Sequence, residues 1–228
     1  LWGWHTDILP FLEQPKPVYE VNPGGAIRVT NGPEWVEVYV CPADPWPSPP
    51  FSDYMRACSY RPNHGLGNHR NDGFFRRDLF HPVRTSDVTD GLSNTAALSE
   101  KLVVPPTIAS MDKMPDDDTF WGNRRVRRTR SFIPDLDLFA DECELRSEPH
   151  LTEVIAREEY NHVQTPNRRS CTNGTRTSPN AVDYMAMTAT SLHTGGVNVG
   201  YGDGAVRFLS DAVDRKVWRA VGTRNGGD

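Results

Sequence analysis

A chain of 228 residues is long enough for one sizeable domain, or one domain carrying large insertions, and its formal net charge of −5 argues against a general nucleic-acid binder. Hydrophobic residues reach only 37% beside 18 Gly and 19 Pro, which points to a loop-rich globular protein, with six Trp to help build a core. No apolar run approaches the roughly 20 residues of a membrane helix; LWGWHTDILPFLEQ lacks the ordered zones of a signal peptide, and a start at Leu1 leads us to expect a lost upstream segment.

In chain order, WGWHTDILPFLEQ brings Trp4, Ile8, Phe11 and Leu12 onto one helical face that Pro10 limits or kinks. WVEVYVCP alternates Val36, Val38 and Val40 against Glu37 and Tyr39 and predicts a strand stopped by Pro42. ADPWPSPPFSD reads as extended surface loop, and Tyr54 to Arg77 as a long irregular segment anchored by Phe74 and Phe75. TSDVTDGLSNTAALSEKLVV carries a turn at Asp90-Gly91 followed by a short strand. Residues 105–135 are polar and insertion-like, with Asp116, Asp117 and Asp118 soon followed by Arg124, Arg125, Arg127, Arg128 and Arg130. In an acidic protein those arginines are expected to form a charged surface strand or a subunit contact rather than a phosphate site.

DLFADECELR and LTEVIAREEY read as short helices, and residues 161–181 as loop, with a sequon at Asn173-Gly174-Thr175 that is weak evidence by itself. At the C-terminal end, a two-residue Asp203-Gly204 turn would set Tyr201 opposite Val206 and Val199 opposite Phe208. With Val197 they make one apolar face, leaving Asn198, Gly200 and Arg207 on the other and Leu209 as the exception. A covering helix follows, with Ser210 or Asp211 as N-cap, Gly222 as its stop, and Val213, Val217 and Val221 in a stripe beside Trp218.

Four cysteines, Cys41, Cys58, Cys143 and Cys171, show no CxxC, which disfavours a zinc ribbon or a thioredoxin-like site. An even count in a loop-rich chain suits two disulfides and an oxidising compartment. Three connectivities are possible and spacing does not choose among them; easier closure of short loops favours Cys41–Cys58 and Cys143–Cys171.

Candidate chemistry is sparse. His193 and Asp203 flank one predicted strand and, at about 3.3 Å per residue, should lie roughly 20 Å or more apart if it is straight, so a shared catalytic role is not expected. There is no GxSxG elbow, no P-loop, no CxxCH and no HxxxH, and His64 and His69 stand singly in loops. Asp135, Asp137, Asp141 and Glu142 are weak candidates for a structural calcium ion, but they miss the EF-hand spacing and read more simply as a solvated helix face.

The stretch HTGGVNVGYGDGAVRFLSDAVDRKVWRAVGTRNGGD resembles the C-terminal end of a large bacterial family, abundant in planctomycetes, of type IV pilin or type II secretion pseudopilin-like proteins. That family is a domain of unknown function with a prepilin-type processing-associated motif: His, nine residues, Asp-Gly. His193 and Asp203-Gly204 fit it, with Gly195, Gly196, Asn198 and Trp218 as further structural motif positions. ILPFLEQ, VYVCPADP, VTDGLSNTAALSEK and YNHVQTPNRRSCTNG agree in order, so the resemblance covers most of the chain and is weakest over residues 105–140. HTGG stands where HPGG is commoner, and GYGDGA where FADGS is; turn and alternation survive both.

The resemblance implies an α+β fold: a pilin-like head with an antiparallel sheet, a C-terminal hairpin plus covering helix, and long loop insertions. We expect one domain over 1–228, with 1–14 continuing an N-terminal helix region, 105–180 variable, and 181–228 as the hairpin-helix closing unit. The family's hydrophobic N-terminal helix does not occur in this sequence and would be the only membrane contact. The expected function is a non-enzymatic, extracytoplasmic structural subunit at the cell surface or in the periplasm. It would self-associate into a homo-oligomer or filament without cofactor or nucleic acid. An exported glycan- or peptide-binding module is the alternative, and a secreted hydrolase a distant third.

Overall fold

A computed structural model describes residues 4–16, 18–21, 27–30, 36–44, 58–67, 71–76, 82–103, 126–149, 160–174 and 185–226. The architecture is α+β. Strands β1 (Val18–Val21) and β2 (Ile27–Thr30) form a separate antiparallel pair. The first sheet joins β3 (Tyr60–Pro62), β4 (Ala96–Glu100), β9 (Gly196–Tyr201) and β10 (Val206–Ser210) in the antiparallel order β10-β9-β4-β3. The second joins β5 (Val126–Arg128), β6 (Glu148–Pro149), β7 (Ser170–Thr172) and β8 (Met185–Ala186) in the order β6-β5-β7-β8, with β5 and β7 parallel.

Three helices accompany the sheets among the described residues: α1 (Trp4–Asp7), α2 (Leu136–Arg146) and α3 (Arg215–Gly222). α2 starts where Asp135 accepts a hydrogen bond from the Leu138 N–H, and α3 where Asp214 accepts from Lys216 and Val217. The cap of α3 is therefore Asp214, not Ser210 or Asp211, and Gly222 lies inside the helix. Trp218 drives the packing of α3 onto Val197, Val199, Tyr201 and Tyr160, while Val217 points outward at 55% exposure, so the expected valine stripe is broken.

The N-terminal helix ends early. Pro10 sits in a 3₁₀ turn, Leu9–Leu12, that buries Leu9 and turns Phe11 out to solvent. The strand expected over Val36 to Val40 is also a 3₁₀ turn, Glu37–Tyr39. Val36 and Tyr39, three apart, are buried and Val38 is exposed, so the i, i+3 period won over the apparent alternation. Phe74 and Phe75, in irregular backbone, meet each other edge to face.

The closing hairpin forms with a different register. Arg207 pairs with Val199 and Leu209 with Val197, while Val206 and Phe208 face Gly200 and Asn198. The loop has three residues, Gly202, Asp203 and Gly204: the Gly204 N–H bonds the Tyr201 carbonyl and Gly204 adopts φ +86°. Every β10 side chain therefore lies on the face opposite to the one expected.

Residues 160–164 connect the two sheets. The Tyr160 N–H donates to Pro62 at the end of β3 and the His162 N–H to Gly65 just beyond it, and the Asn161 N–H donates to the Met187 carbonyl beyond β8. Tyr160 belongs to the core under the first sheet and Val163 to the core beside α2. The helix expected over LTEVIAREEY lies outside the described residues apart from Tyr160.

Candidate functional site

Glu100 ends β4 on the face turned away from the Trp218 core, and its carboxylate is almost fully buried. A buried charge persists only when it is hydrogen-bonded and paired. Here Oε2 accepts from the Asn198 backbone N–H at 2.8 Å, and Oε1 from the Asn198 side-chain amide at 3.2 Å. Sheet register accounts for this, since Asn198 lies next to Glu100 on the neighbouring strand β9.

Two further side chains reach the same oxygen. His193 enters just before β9, its N–H held by the Ser191 hydroxyl, and sets Nε2 3.0 Å from Oε1 of Glu100. Cys41 follows the Glu37–Tyr39 turn, and its thiol donates to Oε1 at 3.5 Å while lying 3.5 Å from Nε2 of His193. Sulfur, imidazole nitrogen and carboxylate oxygen therefore form a compact triangle. Beside it opens a small cleft lined in part by Asp44, Ser59, Lys101 and Thr190. Cys41 and Glu100 are buried, whereas the His193 side chain is 36% exposed and gives the triangle a route to solvent.

The electrostatics set limits on the chemistry. Burial pushes the Cys41 thiol up, and the neighbouring Glu100 charge adds to it, so the sulfur is protonated at neutral pH and is not an activated nucleophile. Burial first, then the adjoining Cys41 and Glu100, pushes the Tyr60 hydroxyl up to about 12. One nitrogen of His193 faces both sulfur and carboxylate, so the ring cannot relay a proton from one to the other as a nucleophile–base–orienter triad requires. Thiolate, imidazole and carboxylate are, however, the three side-chain ligand types of zinc-class ions.

The other expected site residues have different duties. Asp203 is not brought to His193; it stays in the hairpin loop and accepts from the Ala205 N–H. Gly195 takes φ +81° in the turn that leads into β9, and a Cβ on Gly196 would lie 2.1 Å from the Leu209 carbonyl oxygen, so strand approach demands glycine there. The calcium candidates are committed elsewhere: Asp135 caps α2, Asp137 pairs with Arg215 and Arg219, Asp141 with Arg215, and Glu142 with Arg146. Burial works against the charge on Asp137, but Arg219 and then Arg215 outweigh it and hold its carboxyl below the ordinary range. Asp137 and Asp141 thus tie α2 to α3, whereas Asp135 and Glu142 are engaged within α2 itself.

Arg127 donates to the backbone carbonyl and hydroxyl of Ser147, the residue between α2 and β6. Arg128 is half-buried on the same strand and Arg130 is exposed. Arg124, Arg125 and the aspartates at 116–118 lie outside the described residues. Asn173 of the sequon is buried, with its amide bonded to both backbone groups of Ile133.

The Cys143–Cys171 disulfide forms, with its Cα atoms 5.9 Å apart, and staples α2 to β7. The expected Cys41–Cys58 bond does not form. Cys58 turns toward the Tyr60 carbonyl while Cys41 turns toward Glu100 and His193, so short loop closure was overridden by where the two thiols point.

Sequence reasoning missed the Cys41–Glu100–His193 cluster because its members stand 59 and 93 residues apart and no local spacing marks them. The available signal was indirect. VYVCPADP, VTDGLSNTAALSEK and HTGG, each singled out on other grounds, contribute one member of the triangle apiece.

No curated protein and no solved structure matches the chain. The model of one family, SBP_bac_10, described as a protein of unknown function (DUF1559), matches residues 1–216, and the chain belongs to that family.

Proposed function

We propose that the chain is a non-enzymatic structural subunit of pilin or pseudopilin type, acting outside the cytoplasm by self-association. The observation that carries this reading is the open part of the first sheet's outer face. Near β3 that face is covered by the cluster of Leu9, Val36, Tyr39 and Cys58. At the β9–β10 end, Val206 and Phe208 are 69% and 50% exposed over Gly200 and Asn198, on a strand that ends the sheet. An exposed apolar edge strand is a ready template for another chain, and we assign its occupant as a second copy of this one. Family membership, the His193 to Asp203-Gly204 motif and the Cys143–Cys171 disulfide support the same reading. No helix among the described residues is long and apolar enough to cross a membrane.

The test is sedimentation velocity and negative-stain microscopy on the natural full-length product and on its Val206→Glu/Phe208→Glu variant. Concentration-dependent oligomers or filaments that the double variant abolishes are expected. Dispersed monomers of the unaltered protein across the whole concentration range would overturn the reading.

A further inference from the structure

We propose that Cys41, His193 and Glu100 hold a divalent transition-metal ion of the zinc class, with a fourth position left for water at the cleft. The reading starts from the shape of the triangle. Its sides are 3.5 Å from Sγ to Oε1, 3.5 Å from Sγ to Nε2 and 3.0 Å from Nε2 to Oε1. A tetrahedral zinc ion, with bonds of about 2.3 Å to sulfur and about 2.0–2.1 Å to nitrogen and oxygen, sets ligand atoms about 3.5 Å apart for S···N and S···O and about 3.3 Å for N···O. The three side chains therefore already outline one face of such a tetrahedron.

Ligand chemistry narrows the ion. One thiolate, one imidazole and one carboxylate suit zinc and its neighbours, whereas calcium and magnesium ask for oxygen throughout. The support expected around a metal site is also present: Asn198 fixes Glu100 through both its backbone and its amide, and Ser191 fixes the His193 backbone. Partial exposure of His193 supplies the entry path. On binding, the Cys41 thiol gives its proton to solvent, and His193 keeps its single proton on Nδ1 so that Nε2 offers a lone pair. Cys41 is otherwise a free buried thiol in a chain that has already oxidised Cys143 and Cys171. Coordination by a metal would explain why that thiol is retained beside an imidazole and a carboxylate.

The test uses the whole chain, without reductant, so that Cys143–Cys171 stays intact. Loaded with zinc chloride and dialysed against metal-free buffer, it is expected to retain one zinc per molecule by elemental analysis. Loaded with cobalt(II), it is expected to show a thiolate-to-cobalt charge-transfer band that zinc bleaches. Cys41→Ser and His193→Gln should lose stoichiometric zinc, Cys41→Ser should also lose the band, and Asn198→Ala should weaken zinc binding about 10- to 100-fold. Cys58→Ser keeps both readouts, which assigns the sulfur to Cys41 even if Cys41→Ser fails to fold. Substoichiometric zinc with no cobalt band in the unaltered chain would reduce the cluster to a hydrogen-bonded triad and overturn the proposal. A band that survives Cys41→Ser, or that Cys58→Ser removes, overturns it equally, because the ion would then sit elsewhere.

Discussion

His162 lies wholly buried, its ring stacked on Trp218 at a centroid distance of 4.0 Å. Nδ1 stands 2.6 Å from the Trp218 carbonyl, which only accepts, so Nδ1 carries the proton and Nε2 accepts from the Tyr160 hydroxyl at 3.1 Å. No second proton fits that arrangement. Burial holds the ring's pKa down to about 3, against the opposing pull of the Trp218 carbonyl. In the unfolded chain a histidine titrates near 6.5. Between that value and about 3 the unfolded state binds the extra proton, so this residue's contribution is complete above pH 6.5 and declines as pH falls, by about 1.4 kcal/mol per unit. Urea unfolding from pH 7 to pH 4 should show that decline, and His162→Gln should remove this component of the slope while lowering stability throughout. An unchanged slope in the variant would mean that other groups carry the acid sensitivity. NHVQ stood out in the sequence only as part of a matching stretch, in a segment read as loop. It is indeed irregular, but burial in irregular backbone leaves no periodic trace, so its role in the core was not legible.

At the scale of elements, the hairpin shows both what alternation reveals and what it hides. Val197, Val199 and Tyr201 were legible as a buried row, and all three are buried. The partner strand was assigned the wrong face because Asp203-Gly204 serves two turns: two residues with both at positive φ, or three residues with only Gly204 in that region. The hydropathy of Val206 and Phe208 favoured the first. The second holds because Arg207 lays its guanidinium 4.3 Å over the Tyr201 ring, so a charged residue occupies a core-facing row at little cost, and Leu209 completes the packing. Leu209 had been the one residue out of pattern. A different error, reading a period of two where three operated, turned the Glu37–Tyr39 turn into a strand. Register is testable by truncation. Leu209→Ala should cost about 1–3 kcal/mol in chemical denaturation, whereas Val206→Ala should stay within about 0.5 kcal/mol. The reverse ranking would restore the two-residue loop.

At the scale of the molecule, α+β class and the hairpin-plus-helix end were legible because each is written in short contiguous patterns. The joining of the two sheets was not, since it rests on buried polar side chains whose partners are distant in sequence. Asn161 donates to the carbonyl of Met185 while accepting from Met187, and Lys101, just past β4, donates to the Ser170 hydroxyl in β7 and to the Thr188 carbonyl. With the Arg215 and Arg219 pairs from α3 to α2, these bonds bind the Trp218 core to the disulfide-stapled half. Buried polar bonds of this kind are costly to leave unmade, so the two halves should unfold together. Closing a loop of 28 residues, the Cys143–Cys171 bond should stabilise the fold by about 3–4 kcal/mol. That loss, on reduction, should reach β9 as well as β7, although the bond touches only the second sheet. Native-state hydrogen exchange with and without reductant measures it: amides of Val197 and Val199 should lose as much protection as that of Cys171. Protection lost only around α2 and β5 to β8 would mean that the sheets open independently, and that the bonds through Lys101 and Asn161 do not couple them.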